Sequence, residues 1–180
     1  INCQANGITI PVCRIIDEPA FSWRAFMLDE SRHFHGMEMV KKLLDEMSYL
    51  KLNTFHWHLV DDPGWRIEIR KYPELTTIGS KRDFSHRELT PAQWDEQFPG
   101  KKMYYTQDEI REIVQYADER GIQVVPEIEV PGHASASIAA YPWLGASSKR
   151  QGKGVWGDLY NVTNPEVEAF IHDILDEMIT

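Results

Sequence analysis

Three apolar runs, each followed by an amphipathic stretch, set the rhythm of this chain. Ala25-Phe26-Met27-Leu28 is continuous and apolar, the pattern of a buried strand. Met37, Val40, Leu43, Leu44, Met47 and Leu50 then recur at helical spacing and predict a helix over about residues 36–51. Asn53 to Val60 predicts a second strand. Thr106-Gln107-Asp108-Glu109 is a capping box: Thr can cap the first amides while Glu reaches back. Ile110, Ile113, Val114 and Ala117 stripe the helix that follows, and Gly121 stands where a left-handed residue ends it. Ile122 to Ile128 predicts the third strand. Asn164-Pro165-Glu166 combines an N-cap, Pro at the first helical position and an acid in the first turn. Val167, Phe170, Ile171, Ile174, Leu175 and Met178 form that last helix's apolar face. Each helix carries a buried stripe and therefore expects a sheet beneath it, which places the chain in the α/β class.

Between these elements the pattern changes. Residues 1–20 read as short extended segments with Asn-Gly and Pro punctuation, more like the end of a preceding small domain than the start of this one. Residues 61–104 form a long connection in which Arg66-Ile67-Glu68-Ile69-Arg70 alternates like a small strand; connections of that length usually carry function. Ala134 to Ala140 predicts a short helix, and residues 145–160 a Gly- and Ser-rich loop.

Composition narrows the class. The 180 residues are 42% hydrophobic and 26% charged, with a formal net charge of −9. That balance is globular and argues against non-specific nucleic-acid binding and against an anionic membrane surface. No apolar run reaches membrane-span length. Six Trp can be core, or can present indole faces to sugars. Cys3 and Cys13 flank a predicted hairpin; a disulfide and two free thiols stay equally open, and the spacing is no metal pattern. The chain opens at Ile1 without an initiator Met, a start that looks like a processed fragment, so the lack of a signal peptide here says nothing about the parent protein.

Candidate chemistry gathers where two strands end. His56 and His58 share a face of their strand, with Trp57 opposite. The pair suits either a metal centre or two histidines hydrogen-bonded to nearby carboxylates. Asp61 and Asp62 follow at the strand's end, a solvated turn or an active-site rim. Glu127, Glu129 and His133 follow the third strand in the same way, with Pro131-Gly132 turning the chain towards His133. A carboxylate beside a histidine orients its ring and holds its protonation state. Arg24 precedes the first apolar run, and Asp29 and Arg32 follow it; an Arg fork suits paired sugar hydroxyls or a carboxylate. Acids and histidines delivered at the C-terminal ends of successive strands suggest a parallel (β/α)8 barrel. Asn161-Val162-Thr163 fits a glycosylation sequon, a tripeptide common by chance.

These segments resemble glycoside hydrolase family 20, the β-N-acetylhexosaminidases. Phe21 to Phe34 looks like that family's opening barrel strand, and His56-Trp57-His58-Leu59-Val60-Asp61-Asp62-Pro63-Gly64-Trp65-Arg66 like its second-strand signature. Tyr105 to Ile110 and Val125 to His133 resemble the next landmarks, in order and spacing. The resemblance implies residues 1–20 as a remnant of a small α/β domain and 21–180 as the first part of a TIM barrel, incomplete, with about three β/α units. It implies removal of terminal β-linked GlcNAc or GalNAc by retaining, substrate-assisted catalysis without a cofactor or metal. The acetamido-orienting Asp and acid/base Glu are then expected after Thr180, so no catalytic residue lies in this chain and the piece alone should be inactive. Asp176-Glu177, on the last helix, reads instead as a solvated helix end. Carried over by position, Arg24 binds the terminal sugar's hydroxyls, and Asp61 and His133, with Asp62, His58 and Glu129, form the supporting network. Ala25 stands where Gly is common, Pro63 where Gln is common and Glu129 where Asp is common; the extra methylene of Glu129 moves its carboxylate by more than ~1 Å. The implied partners are glycans ending in β-N-acetylhexosamine, in a secreted, periplasmic or lysosomal setting, and an exposed barrel edge favours self-association. Two other classes fit the same residues: a non-catalytic carbohydrate-binding barrel, and a metal-dependent hydrolase using His56 and His58.

Overall fold

Three parallel strands, one from each apolar run, make the sheet that positions everything else. The computed structural model describes residues 2–4, 7–9, 11–86, 88–146 and 159–179. Most of the expected Gly- and Ser-rich loop at 145–160 lies outside the described residues. Asn2–Gln4 (β1) and Gly7–Thr9 (β2) pair antiparallel as a small hairpin. Cys13 is a free, exposed thiol.

Ala25–Asp29 (β3), Thr54–His58 (β4) and Gln123–Glu127 (β7) pair in that order, all parallel. The register sets Asp29 beside His58 and His58 beside Glu127, so three ionisable residues line one end of the sheet. Two hairpin strands follow β4: Val60–Asp61 (β5) and Gly64–Trp65 (β6) pair antiparallel across Asp62-Pro63. Met37–Tyr49 (α1) returns the chain from β3 to β4, and Gln107–Asp118 (α4) returns it from β4 to β7. Val40, Leu44 and Met47 of α1 and Ile113 and Ala117 of α4 bury against Phe55 and Trp57 of β4. Pro165–Ile179 (α6) adds Val167, Phe170 and Ile174 to the same core. At about 25 cal/mol per Å² of apolar surface, these side chains are the main source of stability.

Local signals behave as their chemistry requires. Thr106 and Glu109 form the predicted capping box: Glu109 N–H donates to Thr106 Oγ1 (3.2 Å) and Thr106 N–H to Glu109 Oε2 (2.7 Å). Gly121 takes φ 67°, a left-handed turn that an L side chain resists. Ser135–Ala140 (α5) is the short helix expected after His133. The long connection holds two further helices, Glu74–Thr77 (α2) and Pro91–Gln97 (α3). The second has its own capping box, Thr90 with Gln93.

Three expectations need correction. Ala25-Phe26-Met27 is not buried; among the described residues β3 lies at the sheet's edge, and only β4 has a strand on either side. Arg66–Arg70 is no strand: Ile67 makes only an isolated parallel bridge to Tyr105, closed by Tyr105 N–H to Arg66 O and Glu68 N–H to Tyr105 O. Glu177 is not a solvated helix end. Its carboxylate accepts from Arg70 N (2.7 Å), Lys71 N (2.9 Å) and Gln107 Nε2 (2.7 Å), tying α6 to the long connection and to α4.

Arg66 organises that connection. Its guanidinium is fully buried and donates to five backbone carbonyls: Glu30, Ser31, Ser80, Arg82 and Met103, at 2.7–3.2 Å. Burial pulls it down to about 10, yet it stays protonated at neutral pH. The planar fork can serve all five acceptors at once; a lysine head, with three donors on one atom, can serve at most three. Gly64 makes room, since a Cβ there would run into the guanidinium, which its hydrogen bonds prevent from moving aside. Arg66→Lys should therefore lower stability by at least ~2 kcal/mol by orphaning buried carbonyls. Urea unfolding of the two chains measures the difference; equal midpoints would show the five contacts to be dispensable.

Candidate active site

The C-terminal ends of β3, β4 and β7 bring Asp29, His58 and Glu127 side by side, and the residues just beyond them close over that end. Parallel pairing makes this unavoidable: strands that run the same way end on the same side. The β5–β6 hairpin then folds Asp61 and Asp62 inward, where they are 1% and 5% exposed. Two adjacent buried acids need partners, and both have them.

Asp61 meets the Arg32 guanidinium, with Nη2 at 2.6 Å from Oδ2, and His133 Nδ1 at 3.1 Å from Oδ1. The other Arg32 nitrogen, Nη1, donates to Asp29 Oδ2 at 2.5 Å. Asp62 accepts from the backbone N–H and hydroxyl of Ser135 (3.0 and 2.7 Å), which fixes the start of α5, and lies 3.1 Å from His133 Nδ1. His133 Nδ1 thus faces two carboxylates. That geometry assigns a proton to Nδ1, the ring nitrogen that donates to them. His133 itself has φ 52°, a left-handed conformation costly for a non-glycine residue and frequent where a side chain must be aimed.

Buried His58 lies between Asp29 (Nδ1 to Oδ1, 3.5 Å) and the Asp61 and Glu129 carboxylates (Nε2 at 3.6 and 3.7 Å). Burial disfavours the imidazolium, but the neighbouring Asp29 carboxylate prevails and holds His58 above its ordinary value. Burial likewise pushes Asp29 up, and the His58 and Arg32 donors outweigh it, leaving Asp29 well below the usual carboxylate range. Glu129 is raised, first by burial and then by the charge of Glu127. His56 pairs with Glu127.

Two trios among the described residues could offer ligand atoms to a cation, each within 4.8 Å: His58 with Glu127 and Glu129, and Asp61 with Glu129 and His133. Neither uses His56, whose ring pairs with Glu127.

Five residues singled out by sequence, Asp61, Asp62, His133, His58 and Glu129, therefore meet in one cluster. Arg24 does not join them. It precedes β3, and its side chain donates to the carbonyls of Lys51 (2.7 Å), Phe21 (2.7 Å) and Ser22 (3.3 Å) at the opposite end of the sheet. A five-residue strand separates the two ends by roughly 16 Å. Arg32, three residues beyond β3, is the arginine at the cluster. The signal was available: in a parallel sheet only a residue following a strand reaches the end where Asp61 lies.

Comparison with known proteins decides the family. The profile for "Glycosyl hydrolase family 20, catalytic domain" matches residues 21–180. This chain belongs to glycosyl hydrolase family 20. It is 46% identical over 175 residues to a beta-hexosaminidase of Porphyromonas gingivalis, covering 95% of the chain and 21% of that protein. It is 48% identical over 142 residues to a beta-hexosaminidase of Vibrio furnissii, covering 78% of the chain and 23% of that protein. Among solved structures, the family 20 exo-β-N-acetylglucosaminidase of Vibrio harveyi in complex with N-acetylglucosamine superposes with a TM-score of 0.76 at 37% identity, over 91% of this chain and 26% of that one. The family 20 chain thus spans about a quarter or less of these relatives' own lengths. Among the described residues, no helix is long and apolar enough to cross a membrane.

One further buried acid shapes this region. Glu30, the residue after β3, is fully buried and raised by that burial to about 7, against the counteracting His35 N–H. Below pH 4.5 the carboxyl is protonated whether the chain is folded or not; between 4.5 and about 7 the folded state holds the proton more tightly. Stability therefore falls as pH rises through that window, by on the order of 3 kcal/mol, and levels off above it. His58, raised in the same sense, adds to the fall as pH passes through its own range. Urea unfolding at pH 5 and pH 8 should show the drop, and Glu30→Gln should remove most of it. A Glu30→Gln profile as steep as the wild type would place the titration elsewhere.

Proposed function

We propose that this chain is the part of a β-N-acetylhexosaminidase barrel that grips the terminal sugar and orients the reacting groups. The three β/α units are read as the first of a (β/α)8 barrel, whose active site lies at the C-terminal ends of its strands. One observation carries the proposal: Arg32, Asp61 and His133 are assembled at that end of the sheet, from the segments following β3, β4 and β7. The relatives named for hexosaminidase activity, and the solved neighbour holding N-acetylglucosamine, supply the substrate class.

Each side chain then has a physical part. The Arg32 guanidinium, fixed between Asp29 and Asp61 and partly open to solvent, presents donors to a pair of sugar hydroxyls. Asp61 and Asp62 hold the His133 ring in one tautomer, so that Nε2 can orient and tune an acid/base carboxyl brought against it. His58 and Glu129 complete the electrostatic surround. The reaction is retention with assistance from the substrate's own 2-acetamido oxygen, which attacks the anomeric carbon. Asp61, Asp62, Glu127 and Glu129 each lie beside a histidine or Arg32, and the resemblance to family 20 gives them a supporting part rather than that of the leaving-group acid. The acetamido-orienting Asp and the acid/base Glu are assigned to residues outside these 180, and the chain on its own is expected to release no nitrophenol.

The complete gene product tests the assignment with 4-nitrophenyl N-acetyl-β-glucosaminide. Arg32→Ala should lose about 2–4 kcal/mol of transition-state binding, a roughly 30- to 1000-fold fall in kcat/KM, because charged hydrogen bonds to the sugar disappear. Arg24→Ala, at the far end of the sheet, should change kcat/KM less than about threefold. The reverse ranking would return the sugar-binding role to Arg24.

A further inference from the structure

Glu30 is fully buried and touches no residue of the Asp61–His133 network through its side chain, yet it closes the loop that carries Arg32. Its carboxylate Oε2 accepts from His35 N–H at 2.7 Å, and Oε1 lies 3.6 Å from His35 Nδ1. Its own backbone is held at the other side: Glu30 N–H donates to His58 O (3.0 Å), and Glu30 O accepts from Arg66 Nε (3.2 Å). The side chain therefore links residue 30, anchored on the sheet, to residue 35, just ahead of α1. Ser31 to Phe34 form the short excursion between those points. Within it, Ser31 Oγ donates to Gly64 O (2.7 Å), and Arg32 N–H donates to Asp29 Oδ1 (3.0 Å). The Arg66 guanidinium and the Tyr105 hydroxyl face the same carboxylate, and Phe34 packs on Tyr105 with ring centroids 4.9 Å apart.

We infer that Glu30 is a positioning residue for Arg32: by bonding His35 N–H it fixes the width of the 30–35 loop, and so the place at which the Arg32 guanidinium meets the sugar. The inference rests on the assignment of Arg32 to the sugar. A loop without this tie can sample conformations in which Arg32 bridges Asp29 and Asp61 poorly. Since Arg32 would contact the sugar in ground and transition states alike, loosening it raises KM and leaves kcat nearly unchanged.

The test is kinetic, on the complete gene product with 4-nitrophenyl N-acetyl-β-glucosaminide. Glu30→Leu keeps the buried volume but removes the acceptor; KM should rise about tenfold, with kcat within about twofold. Glu30→Gln keeps an acceptor for His35 N–H and should restore most of the loss. In an Arg32→Ala background, Glu30→Leu should have little further effect, because the residue through which it acts is gone. If Arg32→Ala alone leaves KM and kcat unchanged, the sugar assignment fails. If Arg32→Ala is damaging but Glu30→Leu adds its full effect on top, the assignment stands and the positioning role is overturned. Should Glu30→Leu not fold, Glu30→Gln decides: KM close to wild type supports the tie, and a tenfold rise contradicts it.

Discussion

One buried guanidinium holds the working end of this molecule in shape. Arg66 reaches the turn after β3, the loop after α2 and the approach to Tyr105, and satisfies a backbone carbonyl in each. Those stretches have little regular structure of their own, and irregular backbone is stable in an interior only when its polar groups are paired. A charge in this position is costly to bury, and its five acceptors offset that cost. Gly64 is the corresponding constraint on the neighbouring hairpin: its lack of a side chain leaves the space the guanidinium occupies.

The ionisable cluster depends on this frame. Asp29 comes from β3, Asp61 and Asp62 from the hairpin beside Arg66, and His133 from the turn after β7. None of the four lies at the middle of a strand, so their separations are set by turns and not by the sheet's own repeat. The buried Arg66, the Ser31–Gly64 and Ser135–Asp62 hydrogen bonds and the Glu30–His35 tie are what make those turns definite. The division of labour is consistent: apolar packing of α1 and α4 on β4 supplies stability, and buried polar contacts supply geometry.

Periodicity made the three strand–helix units and their order legible, because a strand and an amphipathic helix carry different repeats. Adjacency of acids and histidines to strand ends pointed to Asp61, Asp62, His58, Glu129 and His133, which do meet. Three features were missed. Arg24 and Arg32 both flank the same strand, and only the strand's direction, together with the common end of parallel neighbours, separates them. The Thr90–Gln93 box repeats the signature that identified α4, but its short helix sits in a Pro- and Gly-punctuated connection whose loop character dominated. The role of Arg66 could not be read at all, since its five acceptors are backbone atoms far apart in sequence.

The central claim is that the arginine beside Asp61, and not the one before β3, meets the sugar in a frame fixed by Arg66. A crystal structure of the complete gene product with N-acetylglucosamine bound measures this directly. It should show the Arg32 guanidinium within hydrogen-bonding distance of the sugar's hydroxyls, His133 Nδ1 on the Asp61 and Asp62 carboxylates, and Arg66 on its carbonyls. A sugar bound with Arg32 turned away from it, or held by Arg24, would contradict the claim.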